Sequence, residues 1–110
     1  MIAAFDNGFA FIPFGVLTQA DSAEAELTIL HTIELEPGEK RFNEGMVDPA
    51  GRFLAGTMGI THGTHDGRLF ALYQGRCSQK PVKEGITCTN GMGWVNEGAT
   101  MYDLMMLCLR

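Results

Sequence analysis

The chain is poor in clustered positive charge and has no long apolar run. Its 110 residues carry 8 Lys and Arg against 13 Asp and Glu, a net charge of −5. Because nucleic acids are bound by clustered cations that displace counterions, we expect no nucleic-acid partner. The longest apolar run, Leu104 to Leu109, is far shorter than the roughly 20 residues of a membrane span. We therefore expect no membrane partner either.

Cysteine and proline are also scarce. The three cysteines, Cys77, Cys88 and Cys108, form no Cys-x-x-Cys pair, and this odd number fits a reducing compartment better than a disulfide framework. No basic segment precedes the apolar residues of the amino terminus, and Asp6 interrupts them, so we expect no secretory signal. These observations predict a cytoplasmic protein.

Helical periodicity is missing as well, apart from a short helical turn that we expect at Ser22–Ala25. The 14 glycines with only 4 prolines indicate many tight turns. Asp6-Asn7-Gly8 predicts a hairpin, since Asn-Gly tolerates positive φ at both central positions of a two-residue turn. The sequence predicts an all-β fold. The expected strands are short and lie at residues 2–5, 9–12, 27–30, 52–56, 68–73, 81–83, 91–94 and 99–102.

A weak internal repeat relates the segment Val47–Phe53 to the segment Val95–Met101. The turn glycines of the two segments, Gly51 and Gly98, stand 47 residues apart. A period of about 40–50 residues that contains several strands is typical of a β-propeller blade. Two similar turns also arise within one β-sandwich, so the repeat alone leaves both architectures open.

The segment Arg41-Phe42-Asn43 is the first candidate site. In an extended chain Arg41 and Asn43 point to one side and Phe42 to the other. A guanidinium fork beside an amide suits a polyhydroxylated or carboxylated ligand. The alternative is that Arg41 pairs with a carboxylate such as Glu44 while Asn43 shapes a turn before Gly45.

Asn90 is the second candidate. Its amide oxygen suits Ca²⁺, Mg²⁺ or Mn²⁺, particularly beside carboxylates from elsewhere in the protein. The alternative is an ordinary turn residue, since Asn before Gly tolerates left-handed backbone geometry. His62 and His65 lie in a glycine-rich loop with no third ligand spaced with them, and we interpret them as exposed loop residues.

Taken together, four motifs resemble the regucalcin and gluconolactonase (senescence marker protein) family. They are Arg41–Gly45, Val47–Arg52, Ala55–Met58 and Asn90–Trp94, and their order and spacing match from near Ile2 to about Tyr102. The resemblance implies a six-bladed β-propeller, of which this chain would supply about two blades from the first half. We assign residues 1–102 to this region and residues 103–110 to a tail that fits no blade.

The resemblance also implies a function and its residues. The family hydrolyses sugar lactones with a divalent metal (Ca, Zn, Mg or Mn), held by a glutamate, by an asparagine that corresponds to Asn90, and by a late aspartate. Arg41 and Asn43 correspond to residues that hold the sugar lactone. No residue of this chain is assigned a catalytic role, because the late aspartate is the family's general base.

The two carboxylate ligands of the family correspond to no residue here, and Thr61 stands near where some members place an acidic substrate contact. Since one neutral amide binds a divalent ion poorly, we expect weak or absent metal binding and a truncated, inactive piece of a lactonase. The alternative is a non-enzymatic calcium-binding or interaction module. Such a module would self-associate through exposed strand edges.

Overall fold

The computed structural model describes residues 1–17, 27–61, 64–78 and 80–105 of the chain. These residues form ten short strands, one four-residue helix and one 3₁₀ turn, and the prediction of an all-β fold is confirmed. The strands are β1 (Ile2–Phe5), β2 (Gly8–Phe11), β3 (Thr28–Thr32), β4 (Glu39–Val47), β5 (Phe53–Gly59), β6 (Gly67–Tyr73), β7 (Arg76–Cys77), β8 (Lys83–Ile86), β9 (Thr89–Val95) and β10 (Thr100–Met105). The helix α1 covers Phe14–Leu17, and the 3₁₀ turn covers Asn96–Gly98.

The strands form three antiparallel sheets that follow one another along the chain. The first has the order β1-β2-β3, the second β4-β5-β6-β7 with β8 also paired to β6, and the third contains β9 and β10. The first sheet and the path β4-β5-β6-β7 are up-and-down meanders, and β9 and β10 form a hairpin. The strand that we expect at 81–83 begins instead at Lys83, and β10 runs to Met105.

The helical turn expected at residues 22–25 lies outside the described residues, as do residues 106–110 of the expected tail. The division at residue 102 stays a prediction, although β10 crosses it and Met105 pairs with Thr89 of β9.

The first hairpin forms as predicted, but its turn is displaced by one residue. Phe5 pairs with Gly8, so the two central residues are Asp6 and Asn7 rather than Asn7 and Gly8. Asp6 adopts the positive φ of 42°. Asn7 instead donates from Nδ2 to the carbonyl oxygen of Ile33 at 3.0 Å, which ties the turn to the chain beyond β3.

The central sheet is covered on both faces, and alternation along β5 and β6 assigns its residues to two apolar clusters. Ala55, Phe70 and Leu72 face the first sheet together with Phe42 of β4, and they form one cluster with Phe9 and Ile33. Their neighbours in sequence face the third sheet and form the second cluster, which consists of Leu54, Leu69, Ala71, Ile86 and Met92, with Trp94 and Met101 packed against it. The three sheets are therefore stacked face to face.

The Asp-Pro-Ala-Gly turn between β4 and β5 is stabilised by one buried carboxylate. Asp48 accepts from the backbone N–H of Ala50 and of Arg52, both at 2.9 Å, and from Arg52 Nε at 2.6 Å. Burial alone would raise the pKa of Asp48, but these hydrogen bonds and the Arg52 charge outweigh it and lower the pKa. The motif is therefore structural. Gly51 and Gly98, the turn glycines of the repeat, both have positive φ, at 80° and 90°.

Candidate functional site

The first candidate segment lies in β4 and alternates as predicted. Phe42 is buried in the first apolar cluster, with its ring centroid 4.9 Å from that of Phe9. Arg41 is exposed and Asn43 is half-buried. The buried phenylalanine therefore anchors the strand while the two polar side chains face away from the first cluster.

Both candidate asparagines lie where the pairing of a strand is irregular. In β4 the residues that flank Asn43 pair with adjacent residues of β5, since Phe42 pairs with Thr57 and Glu44 with Gly56. Asn43 is therefore the extra residue of a β-bulge, a feature that redirects a side chain. The register of β9 against β10 also shifts at Asn90–Gly91, since Thr89 pairs with Met105 and Met92 with Asp103.

The structure brings Arg41, Asn43 and Asn90 into one hydrogen-bonded array. Arg41 Nη1 donates to Asn43 Oδ1 at 3.3 Å and to the Phe42 carbonyl oxygen at 2.7 Å. Asn43 Nδ2 donates to Asn90 Oδ1 at 3.1 Å and to the Thr89 carbonyl oxygen at 2.8 Å. Residues 47 positions apart, on strands of two different sheets, thus share one polar cluster.

The simpler alternatives for these residues do not hold. Asn43 and Asn90 are strand residues rather than turn residues. Among the described residues Arg41 makes no ion pair, with Glu44 or with any other carboxylate. Asn-Gly and Asn-Glu-Gly thus occur here inside bulged strands, a position that their local sequence does not distinguish from a turn.

Thr89 fixes the start of β9 against the central sheet. It is fully buried, and its side chain packs on Gly56 of β5, where a Cβ atom would overlap Thr89 Oγ1. Thr89 Oγ1 has no hydrogen-bond partner among the described residues. Met58 and Cys88 form an additional β-bridge just before this point. Asn90 is thus positioned by contacts that only a glycine at residue 56 permits.

The Asn90 amide oxygen is the kind of ligand that a hard divalent cation takes, but one such oxygen is too few to hold the cation. An amide oxygen suits Ca²⁺, Mg²⁺ or Mn²⁺. However, residues 1–17, 27–61, 64–78 and 80–105 contain no group of three or more His, Cys, Asp and Glu residues that could hold a metal ion. Within these ranges no such group therefore accompanies the Asn90 amide oxygen.

Sequence reasoning missed a second polar cluster, formed around Glu39. Glu39, at the start of β4, is 4% exposed and accepts from Arg68 Nε at 2.9 Å and from Arg68 Nη2 at 2.7 Å. The Thr57 hydroxyl and the Glu36 backbone N–H also donate to this carboxylate. Burial alone would raise the pKa of Glu39, but these hydrogen bonds outweigh it and lower the pKa. Glu39 and Arg68 are 29 residues apart, so no local spacing indicates their contact.

The histidines contribute no metal cluster in the described part of the chain. His65 is exposed, as predicted, and its Nδ1 lies 3.0 Å from Thr87 Oγ1. His62 lies outside the described residues.

None of the described helices is long and apolar enough to span a membrane.

Solved structures with the same fold identify its class. The luciferin-regenerating enzyme superposes on 94% of this chain with a TM-score of 0.73 and 23% identity, over 34% of its own length. Regucalcin of Agrobacterium tumefaciens, a calcium-binding protein, superposes on 94% with a TM-score of 0.69 and 25% identity, over 32% of its length. The three stacked sheets therefore correspond to about two blades of a six-bladed β-propeller, as predicted.

Sequence comparison identifies the family. The model of the SMP-30/Gluconolactonase/LRE-like region matches residues 1–104, so the chain belongs to this family. Regucalcin of Xenopus laevis is 33% identical over 92 residues, which are 79% of this chain and 30% of that protein. Human regucalcin is 33% identical over 76 residues, or 64% of this chain and 25% of that protein. The chain thus spans less than a third of the length of these relatives.

Proposed function

We propose that this chain forms one wall of the active site in a metal-dependent, gluconolactonase-like sugar-lactone hydrolase. The observation that supports this proposal best is the convergence of Arg41, Asn43 and Asn90. They come from two strands of different sheets, and the sequence motifs single out each of them independently of its neighbours in space. Asn43 contacts both Arg41 and Asn90, and such a link between distant polar residues is expected of a shared binding site.

The three residues have different roles in this proposal. Arg41 and Asn43 face the sugar, and Arg41 carries the positive charge and the free N–H donors that recognise hydroxyl or carboxyl oxygens. Asn90 supplies an amide oxygen to the metal. A divalent ion bound there would polarise the lactone carbonyl and lower the pKa of water. The family's late aspartate, the proposed general base, has no counterpart among the residues assigned here.

The isolated chain is expected to be inactive. A single amide oxygen is a poor ligand set for a divalent ion, which takes six or more oxygens in the case of calcium. The proposed site becomes complete only with carboxylates from other blades. We therefore assign sugar lactone as substrate, and Ca²⁺, Zn²⁺, Mg²⁺ or Mn²⁺ as cofactor, to the assembled propeller rather than to these 110 residues alone.

A chimera tests the proposal. Residues 1–104 replace the matching third of a regucalcin relative that hydrolyses gluconolactone, and the rate is measured with and without divalent ion. We expect metal-dependent hydrolysis that is lost on Asn90→Ala and retained on Asn96→Gly, a change at an exposed asparagine whose positive φ of 51° glycine tolerates. A folded chimera whose rate is unchanged by Asn90→Ala would refute the ligand role.

A second candidate function is a non-enzymatic module, one that binds calcium or associates through its strand edges. The observation in its favour is that β10, within residues 1–105 as described, pairs only with β9. Unpaired strand edges attract other strands. Light scattering after size-exclusion chromatography separates the candidates: concentration-dependent oligomers support edge association, and a monomer with a sharp melting transition argues against it.

A further inference from the structure

The hydrogen bonds around Asn43 have only one consistent direction. The Thr89 carbonyl oxygen can only accept, so the Asn43 atom at 2.8 Å from it must be the amide nitrogen. The same NH₂ group faces Asn90 at 3.1 Å, so Asn90 must present its oxygen there. Arg41 can only donate, and it contacts the oxygen side of Asn43. The Thr89 carbonyl thereby dictates the orientation of the Asn90 amide.

We propose that Asn43 is a positioning residue, which acts through Asn90 by fixing the direction of its amide. Both N–H groups of Asn43 are used inside the protein, on Thr89 and on Asn90. Asn43 can therefore offer a ligand no donor, only the remaining lone pair of Oδ1. Among the described residues only Asn43 donates to Asn90 Oδ1, which leaves this oxygen one free lone pair, since an amide oxygen accepts two hydrogen bonds. This inference rests on the proposed function in that the free lone pair is the one assigned to the metal.

The surroundings make this orientation rigid. Thr89 is fully buried and wedged against Gly56, so its carbonyl cannot turn away without disturbing β5. Asn43 is the extra residue of a bulge, with no partner opposite it in β5. The bulge therefore places Asn43 where its side chain reaches across to β9. The backbones of β4 and β9 are fixed, and the Asn43 amide lies between them. This arrangement determines that Asn90 presents its oxygen to Asn43.

Nuclear magnetic resonance of the 110-residue chain, labelled with ¹⁵N at asparagine, tests this inference without any metal. The chain has only four asparagines, Asn7, Asn43, Asn90 and Asn96, so four side-chain NH₂ groups are observed. The Asn96 side chain is exposed, and its NH₂ serves as the reference. Because exchange of the Asn43 NH₂ requires a hydrogen bond to break, we expect it to exchange with solvent about 2- to 10-fold more slowly than the Asn96 NH₂. Equal exchange of these two groups would overturn the proposal.

The Asn43→Asp variant sharpens the test. The ionised carboxylate of this variant cannot donate, so Asn90 should turn and donate its own NH₂ to it. The Asn90 NH₂ should then exchange about 2- to 10-fold more slowly than in the parent chain. Asn7→Asp is the matched control, since Asn7 also donates to a backbone carbonyl but lies in the first hairpin. Unchanged Asn90 exchange in a folded Asn43→Asp chain would contradict the positioning role.

A titration with Mn²⁺ separates this inference from the proposed function. Paramagnetic Mn²⁺ broadens nearby resonances even when it binds weakly. We expect Mn²⁺ to broaden the Asn90 NH₂ resonance. The Asn43→Leu variant should need several-fold more Mn²⁺ for the same broadening than the Asn7→Leu variant. Equal titrations in these two variants would overturn the positioning role. If the metal-free experiments succeed and Mn²⁺ does not broaden Asn90 even in the chimera, where the other blades supply their ligands, the positioning role is supported while the metal role is refuted.

Discussion

Replacing Gly56 with alanine should loosen the contact that holds β9, and the candidate site with it, to the central sheet. A Cβ atom at this position would overlap Thr89 Oγ1 and lie 2.7 Å from Thr89 Cβ. Thr89 is β-branched and fully buried, so its side chain has no room to rotate away. Overpacking of this kind costs about 1–3 kcal/mol of the free energy of unfolding. For a domain of this size that corresponds to a fall in Tm of about 5–20 °C.

The matched control is Gly93→Ala in the same strand as Thr89. A Cβ at Gly93 meets nothing within 4 Å, so this variant should match the parent or gain up to about 1 kcal/mol. Urea denaturation and thermal melting of both variants measure the difference. The asparagine NH₂ exchange of Asn43 reports in parallel whether its bond to Thr89 is lost. If Gly56→Ala is as stable as Gly93→Ala, the close packing of the Thr89 side chain on Gly56 would be refuted.

The remaining predictions concern the buried carboxylates. Glu39→Gln should lower the free energy of unfolding in urea by about 2–4 kcal/mol, because Arg68 is left with an incomplete partner while its side chain is only 15% exposed; an unchanged value would contradict this. Asp48→Ala should cost about 1–3 kcal/mol, whereas Arg52→Ala, whose side chain is 50% exposed, should cost less than about 1 kcal/mol; the reverse order would show that the turn does not depend on Asp48. Both carboxyl groups have a folded pKa below the ordinary values of 4.5 and 3.8, so their contribution to stability is present above those values and is lost as pH falls through the lower folded pKa. Urea denaturation over a pH series should therefore show a steeper loss on acidification in the parent chain than in Glu39→Gln, and parallel curves would refute the assignment.

The sequence predicted the class of fold better than it predicted the local geometry of the strands and turns. Short alternating segments and turn glycines identify most of the strands because these signals are local. The expected strands do not include β4, the strand that carries Arg41 and Asn43. The first turn was misplaced by one residue because Asp6 takes the positive φ that was expected of Asn7 and Gly8. The strand expected at 81–83 was misplaced for a similar reason, since β8 begins at Lys83, where the predicted segment was to end.

Contacts between distant segments could not be predicted. Asn before Gly is equally compatible with a turn and with a bulge, and only the pairing of β4 with β5 and β9 with β10 decides between them. The Glu39–Arg68 pair joins the start of β4 to β6, and nothing near either residue indicates the other. In the sequence, only the resemblance to the family relates Arg41 and Asn43 to Asn90. That resemblance depends on the order of several motifs together.

We propose that Arg41, Asn43 and Asn90 form one wall of a lactone site whose remaining ligands come from other blades. The most direct measurement is gluconolactone hydrolysis by the purified 110-residue chain in the presence of Ca²⁺, Zn²⁺, Mg²⁺ or Mn²⁺, beside an intact regucalcin relative. We predict no hydrolysis above the rate in buffer for the isolated chain. Metal-dependent hydrolysis by this chain at the rate of the intact relative would contradict the claim.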